Sequence, residues 1–257
     1  MFIEERHEKI LQMLKDKKRV EVQELSELFE VSEDTIRRDL RIMEQKGKVH
    51  RTYGGAILPD KVNSYENFIV RENIQNDVKQ SIASLAQSFI QERDTLLLDG
   101  STTVAKIVPL LSGYKNLTVI TNSITIAYDI LHQCPNINLH IIGGIVRNDI
   151  GNSISIESLK DIEKLYVDKV FLSACSISLK GELTTPIIED AHVKKAMLNA
   201  GREVYILADS SKFGQKSLME FGKIKPEYTI ISDSDLPYDI NEDLQALISR
   251  GLKILTT

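Results

Sequence analysis

The stretch VSEDTIRRDLRIM, Val31 to Met43, sets three arginines, Arg37, Arg38 and Arg41, within five residues beside a single aspartate, Asp39, in a segment that opens like a helix. Ser32 is placed to cap a free backbone N–H, and Glu33 and Asp34 favour the positive end of the helix. Ile36, Leu40 and Met43 share one stripe. At about 100° per residue this leaves Arg38 and Arg41 on the opposite side, Arg37 on one flank and Thr35 on the other. The helix runs to about Lys46, and Gly47 stops it. A helix of this kind enters the major groove of duplex DNA, where its first residues reach base edges and arginine pairs bidentately with guanine. Ser32, Thr35, Arg37, Arg38 and Arg41 are therefore candidate contacts. Asp39, which DNA would repel, reads as an orienter of neighbouring donors.

The flanking sequence supplies the frame. Ile3, Ile10, Leu11 and Leu14 recur at helical spacing over 3–15, DKKRVEV breaks the pattern, and Val22, Leu25, Leu28 and Phe29 mark a second helix. The three residues EVS join it to the third, a helix-turn-helix arrangement. KVHRTYGGAIL then forms two short extended runs around Gly54-Gly55, a hairpin wing that carries Arg51. The net charge of −5 does not oppose a nucleic-acid partner, because residues 1–59 hold 12 basic and 12 acidic side chains, and Thr35–Tyr53 is locally +4. One positive face on an acidic molecule orients it on a polyanion.

From Glu5 to Ala56 the chain resembles the winged helix-turn-helix of the DeoR family of bacterial sugar-metabolism regulators, whose hallmark is a T-[IV]-R-R-D-L helix. The resemblance implies that Thr35, Arg37 and Arg38 contact DNA and that Arg51 marks the wing.

Residues 1–57 are read as this domain, 58–74 as a polar linker and 75–257 as a larger domain. A helix over 77–91 turns Ile82, Leu85, Ala86 and Phe89 inward. Short apolar runs follow at 95–98, 117–120, 139–142, 169–174, 204–208, 228–231 and 252–255, most of them separated by helical patterns. This alternation predicts a Rossmann-like α/β fold with a mainly parallel sheet covered on both faces. Loops after parallel strands share one crevice. Here they read DGSTT, TNS, GGIVR and ADSSKFG, small hydroxyl residues at helix starts with Arg147 and Lys212 as counter-charges, a pattern suited to a phosphate.

The resemblance extends into this region, to the DeoR sensor domain, similar in fold to ribose-5-phosphate isomerase and CoA transferases. It implies that a phosphorylated sugar or related metabolite tunes DNA affinity. The effector-facing candidates carried over are Asp99, Gly100, Ser101, Thr102, Thr103, Thr121, Asn122 and Ser123, with Gly143, Gly144, Arg147 and Lys212 around them. Two departures bear on the ligand. FLSACSI puts Ser173, Cys175 and Ser176 where the family has glycines and a polar residue, and Ser155 stands near a family glycine, so both fill space near the crevice. Cys175 has no basic neighbour in sequence and reads as a small strand-end residue rather than a redox thiol. His192 is an outer candidate for a phosphate contact, though such a histidine is more often solvated.

Two cysteines, Cys134 and Cys175, match neither a disulfide framework nor a metal spacing. With no leader-like N-terminus and no long apolar run, a cytoplasmic chain away from the membrane is expected. No cofactor or metal is implied. The expected function is a regulator, most often a repressor of a carbohydrate-utilisation operon, that binds double-stranded operator DNA as a homo-oligomer (dimer or tetramer) and responds to a phosphorylated sugar or polyol. The alternative is an isomerase-like or CoA-transferase-like enzyme fused to a DNA-binding module. It is disfavoured because FLSACSI lacks the carboxylates such isomerases carry there. An NAD-sensing repressor is set aside, since the glycine fingerprint G-x-G-x-x-G is replaced by DGSTT.

Overall fold

The computed structural model describes residues 3–45, 48–58, 68–235 and 242–257. The expected helix stop at Lys46 and Gly47, and most of the expected linker, lie outside them. The described residues cluster into two compact units, one of 3–58 with 72–76, the other of 68–71 with 77–257. No helix among the described residues is long and apolar enough to cross a membrane.

The first unit runs α1 (Ile3–Lys17), β1 (Arg19–Glu21), α2 (Val22–Phe29), α3 (Glu33–Gln45), β2 (His50–Thr52) and β3 (Gly55–Ile57). Its core gathers Ile10, Leu14, Val22, Leu25, Phe29, Ile36, Leu40 and Met43. Each fully buried aliphatic side chain there contributes about 1.5–3 kcal/mol. Two expected core residues are not in it. Ile3, the first residue of α1, is 38% exposed, because the helix begins beyond the small core it packs on. Leu28 is 56% exposed. It falls about 90° from the centre of the Val22–Leu25–Phe29 stripe at about 100° per residue. The wing is also larger than a hairpin. Arg19–Glu21, read from sequence as a break, is a strand, and the sheet order is β1-β3-β2. Gly55, in the central strand β3, faces Glu21 of β1. A Cβ there would lie 2.0 Å from the Val20 carbonyl oxygen, so only glycine allows this approach.

The chain continues with α4 (Phe68–Asn73), α5 (Asn76–Gln87), β4 (Thr95–Leu98), α6 (Thr102–Ala105), β5 (Thr118–Thr121), α7 (Ile124–Gln133), β6 (Asn138–Ile141), β7 (Val146–Arg147), β8 (Asn152–Ser153) and α8 (Ile156–Ile162). It then runs through β9 (Val167–Leu172), β10 (Ser176–Ile177), β11 (Glu182–Thr185), α9 (Ile188–Ala200), β12 (Gly201–Leu207), β13 (Met219–Lys223), β14 (Thr229–Ser232), α10 (Glu242–Ser249) and β15 (Lys253–Thr256). The seven apolar runs read from sequence form one seven-stranded sheet, ordered β15-β14-β12-β9-β4-β5-β6, with every neighbouring pair parallel. Strict alternation divides the residues between two cores. Leu96, Leu98, Phe171, Tyr205 and Leu207 meet α5 and α7 on one face. Leu97, Val170, Leu172, Val204 and Ile206 meet α8 and α9 on the other. A sheet buried on both faces needs continuous apolar strands, which is why these runs stood out.

Two features were not legible. The short strands β10, β11 and β13 make a small antiparallel sheet, and β7 pairs with β8. The helix expected to reach Gln91 ends at Gln87, where Ser88, Phe89 and Ile90 bond three residues back and tighten the chain into a turn.

Replacing Gly55 by Ala is expected to destabilise the chain by at least about 1–3 kcal/mol, the cost of overpacking against unyielding backbone. Gly113→Ala, where a Cβ would meet nothing within 4 Å, should change little. Urea unfolding followed by circular dichroism measures both, and equal midpoints would refute the close-approach account.

Candidate functional site

On α3 the inner stripe is Ile36, Asp39, Leu40 and Met43, each at most 1% exposed. Arg37, Arg38 and Arg41 are exposed. Ser32 caps the helix as expected, its hydroxyl accepting from Thr35 N–H at 3.2 Å and lying 2.9 Å from Thr35 Oγ1. Arg37 pairs with Glu33 one turn earlier at 2.8 Å. Half-exposed pairs of this kind are worth about 0.3–0.5 kcal/mol and exchange readily for another anion. Among the described residues no carboxylate pairs with Arg38 or Arg41. Arg51, on the wing strand β2, leans toward Glu44 with Nη1 3.8 Å from Oε2. Tyr53, at the wing tip, is fully exposed.

Asp39 explains itself in three dimensions. Its Oδ2 lies 2.5 Å from Arg6 Nε, and His7 Nε2 is 3.4 Å from the other oxygen. Both partners belong to α1. The carboxylate in the middle of this arginine-bearing helix is thus neutralised from inside, and it fixes α3 against α1.

In the larger unit the chain crosses from one half of the sheet to the other between β4 and β9, the position where α/β sheets open a crevice at their carboxyl ends. Asp99, directly after β4, is 1% exposed there. Both its oxygens accept from Lys194 Nζ at 2.7 Å. Lys194, from α9, also donates to the Ser173 carbonyl at 3.0 Å, and Ser173 N–H donates back to Asp99 at 3.2 Å. Burial pulls the Lys194 amine toward neutrality, but Asp99 and Asp190 outweigh it and hold the amine charged. Asp190, one turn earlier on α9, accepts from Thr185 Oγ1 at 2.9 Å. Burial pushes its carboxyl above the ordinary range, with Lys194 opposing. Asp99, placed by resemblance among the phosphate-facing residues, presents no free oxygen and belongs to the frame.

The other expected residues do converge. Ser101 caps α6 and Ser123 caps α7, each accepting a backbone N–H three residues on. Thr102 and Thr103 are buried in the first turn of α6. Thr121 donates to the Leu98 carbonyl at 2.8 Å, which ties the ends of β4 and β5 together. Asn122 donates to the Ser153 carbonyl and Asn152 to the Gly100 carbonyl, while the amide oxygens of both asparagines are buried without a hydrogen-bond partner. A Cβ at Gly100 would lie 1.9 Å from Asn152 Oδ1, so any larger residue there would displace the Asn152 amide. Ser153 and Ser158 donate to the Gly143 carbonyl, and Gly144 sits against the Ser153, Ser155 and Ser158 hydroxyls. Ser155 is used as the N-cap of α8. Arg147 binds Asp149 of its own ribbon through two contacts, at 3.0 and 2.5 Å.

Lys212 has company that the sequence did not disclose. Lys79 of α5 is 4% exposed and donates to the Arg71 carbonyl. Burial, then Lys212, with Arg71 and Lys106 adding, pushes its amine down to about 7, while Asp209 opposes. Three cations from other segments, Lys212, Arg71 and Lys106, thus act on the Lys79 amine together with the Asp209 carboxylate. Arg71 also acts on Asp190, which links this cluster to the Asp99–Lys194 frame. Lys79 had a visible signal: it lies three residues before Ile82 and seven before Ala86, on a buried stripe. Lys194 had a weaker one, because α9 is buried on most sides and shows no clear stripe. His192 and Lys195 are exposed. Cys175 has Lys194 in its electrostatic surroundings, a basic neighbour that proximity in sequence could not reveal.

Lys194→Ala would leave Asp99 charged, buried and alone, at an expected cost of about 3–5 kcal/mol. Combining it with Asp99→Asn should recover part of that loss. Chemical unfolding of both variants measures this, and a mild effect of the single change would remove the pair from its framing role.

Comparison with known proteins agrees with this architecture. Residues 6–62 match the DeoR-like helix-turn-helix domain, and residues 74–234 match the DeoR C terminal sensor domain. The HTH-type transcriptional repressor GlcR of Bacillus subtilis (strain 168) is 33% identical over 257 residues, covering 100% of this chain and 97% of that protein. The HTH-type transcriptional regulator IolR of the same strain is 31% identical, covering 84% and 86%. A putative aga operon transcriptional repressor of Escherichia coli O157:H7 is 28% identical, covering 98% and 93%. Among solved structures, ribose 5-phosphate isomerase A from Methanocaldococcus jannaschii aligns over 54% of each chain with a TM-score of 0.40 and 16% identity, a likeness too partial to carry weight. The two matched regions together span most of the sequence, and this chain belongs to the DeoR family of helix-turn-helix transcriptional regulators.

Proposed function

We propose that this regulator is a repressor of a carbohydrate-utilisation operon, acting in the cytoplasm as a homo-oligomer on repeated operator half-sites. Ser32, Thr35, Arg37, Arg38 and Arg41 of α3 enter the major groove, and Arg51 steadies the wing on the backbone. The observation that carries this reading is the exposed pair Arg38 and Arg41, with no paired carboxylate among the described residues, above a buried Asp39. Repression and a carbohydrate operon are supported by what the relatives named above are called.

The effector in this reading is a phosphorylated sugar or polyol. Its anion lies among Arg71, Lys79, Lys106 and Lys212, beside the loops Gly100–Thr103, Thr121–Ser123 and Gly143–Gly144, with Arg147 at the rim. The unpartnered amide oxygens of Asn122 and Asn152 suit a ligand that brings hydroxyl donors. Turnover is not expected. Proton abstraction needs a free base, whereas Asp99 is held by Lys194, and Asp190 has its carboxyl raised and bound by Thr185.

Arg38→Ala is expected to weaken operator binding by about 1–3 kcal/mol, roughly 5- to 150-fold, and to flatten its salt dependence. Fluorescence anisotropy across a salt series reads both; an unchanged affinity and slope would take Arg38 out of the interface.

A thermal-shift screen of phosphorylated sugars and polyols tests the effector, since a ligand at 100 times its Kd stabilises by about 2.7 kcal/mol. The hit should show a definite pH dependence. Lys79 titrates near 7 in the free chain, and a bound anion raises that value. Binding above pH 7 therefore takes up a proton, and affinity falls by up to about tenfold per pH unit. Titration calorimetry at pH 8 in buffers of different ionisation enthalpy would register the uptake. Affinity that stays level from pH 7 to about 9 would exclude Lys79 from the anion site.

A further inference from the structure

Between Lys115 and Arg147 the sequence holds one charged residue, Asp129, in a chain of which 27% is charged. That segment contains β5, α7 and β6, the outer end of the large sheet. The inner side of α7 is ordinary: Ile126, Ala127 and Ile130 are buried. Its outer side carries an apolar stripe as well, Ile124 at 47%, Tyr128 at 60% and Leu131 at 68% exposure, spaced four and three residues apart beside the exposed His132 and Gln133. Ile141 of β6 is 49% exposed. It shares a strand face with Leu139, which packs on the core that α7 lines, so Ile141 lies on the α7 side of the sheet.

β6 is also an unguarded edge. It pairs with β5 on one side and with no strand among the described residues on the other. Exposed edges are normally protected by lysine, proline or a bulge. The opposite edge, β15, starts with the exposed Lys253, but Asn138-Leu-His-Ile141 has no such charge.

We propose that α7 and the open edge of β6 form a two-fold interface with a second copy of this chain, β6 pairing antiparallel with its counterpart and the Tyr128–Leu131 stripes packing across the axis. Charge selects the occupant. The face has no lysine or arginine to hold a nucleic acid or an anionic lipid surface. A chain of net charge −5 meets its own copy with least repulsion through a face that is nearly uncharged. A two-fold contact also requires a surface complementary to itself, which neutral apolar side chains and an open strand edge provide. The need for a second copy rests on the regulator reading, since one helix-turn-helix reads too few bases alone.

Sedimentation equilibrium on the full chain without DNA is the test. The double change Tyr128→Glu with Leu131→Glu introduces two carboxylates per copy at exposed positions, so the fold should survive and circular dichroism should be unchanged. The mass is expected to fall to half or less of that of the unsubstituted chain at the same concentration. Leu218→Glu, at a leucine 64% exposed elsewhere in the unit, should leave the mass intact. Amide exchange at β6 should be slow in the unsubstituted chain and fast in the double variant. An unsubstituted chain that is monomeric, a double variant of unaltered mass, or β6 amides that exchange equally fast in both would each overturn the proposal. Because the mass is read without DNA, failure of operator binding in other experiments would leave this result standing.

Discussion

The buried contact between Asp99 and Lys194 is the constraint around which the larger unit is arranged. Removing both charges from water costs several kcal/mol each, and the offset depends on close geometry with no unmet donor or acceptor. Here the ammonium has both carboxylate oxygens at 2.7 Å and the Ser173 carbonyl at 3.0 Å, and Ser173 N–H returns a bond to Asp99. One ion pair therefore joins the end of β4, the end of β9 and the second turn of α9. Those ends flank the point where the chain switches direction across the sheet. The hydroxyl-rich loops after β4 and β5 hang from this frame, with their serines already committed as helix caps.

The same device recurs on the smaller unit. Asp39 sits in the helix that carries Arg37, Arg38 and Arg41, yet Arg6 neutralises it from beneath, as Lys194 neutralises Asp99. In both places a carboxylate that would repel an anion is paired internally, and the remaining cations set the local field. Around Lys79 burial and the neighbouring cations outweigh Asp209, and an amine is driven down to about 7. In the proposed reading a bound anion would relieve that repulsion, and regulation would require only that the anion be bound with different affinity in the DNA-competent and incompetent arrangements.

Much of the fold could be read residue by residue. Leu96, Leu97 and Leu98 are a run because β4 is buried on both faces, and all seven such runs became strands of one parallel sheet. Ile36, Leu40 and Met43 fixed the outward direction of Arg38 and Arg41 by helical geometry alone. The errors have equally local causes. Leu28 looked like core because an aliphatic side chain near a stripe is not distinguishable from one on it. Arg19–Glu21 looked like a break because a three-residue strand has no period of its own and exists only through β3.

What the amino-acid sequence determined by itself was direction and type: which faces are apolar, where helices begin, which loops end parallel strands, and which helix carries the arginines. Those properties follow from spacing along the chain, which pairs residues only three, four or two positions apart. Partners far apart in sequence were decided only by the tertiary structure. Lys194 reaches Asp99, Arg6 reaches Asp39, and Lys79 comes under the influence of Lys212 through packing of elements whose order in space no local period encodes. Whether a charge is spent inside the molecule or left for a ligand depends on such long-range pairing, because burial and the nearest opposite charge set its energy.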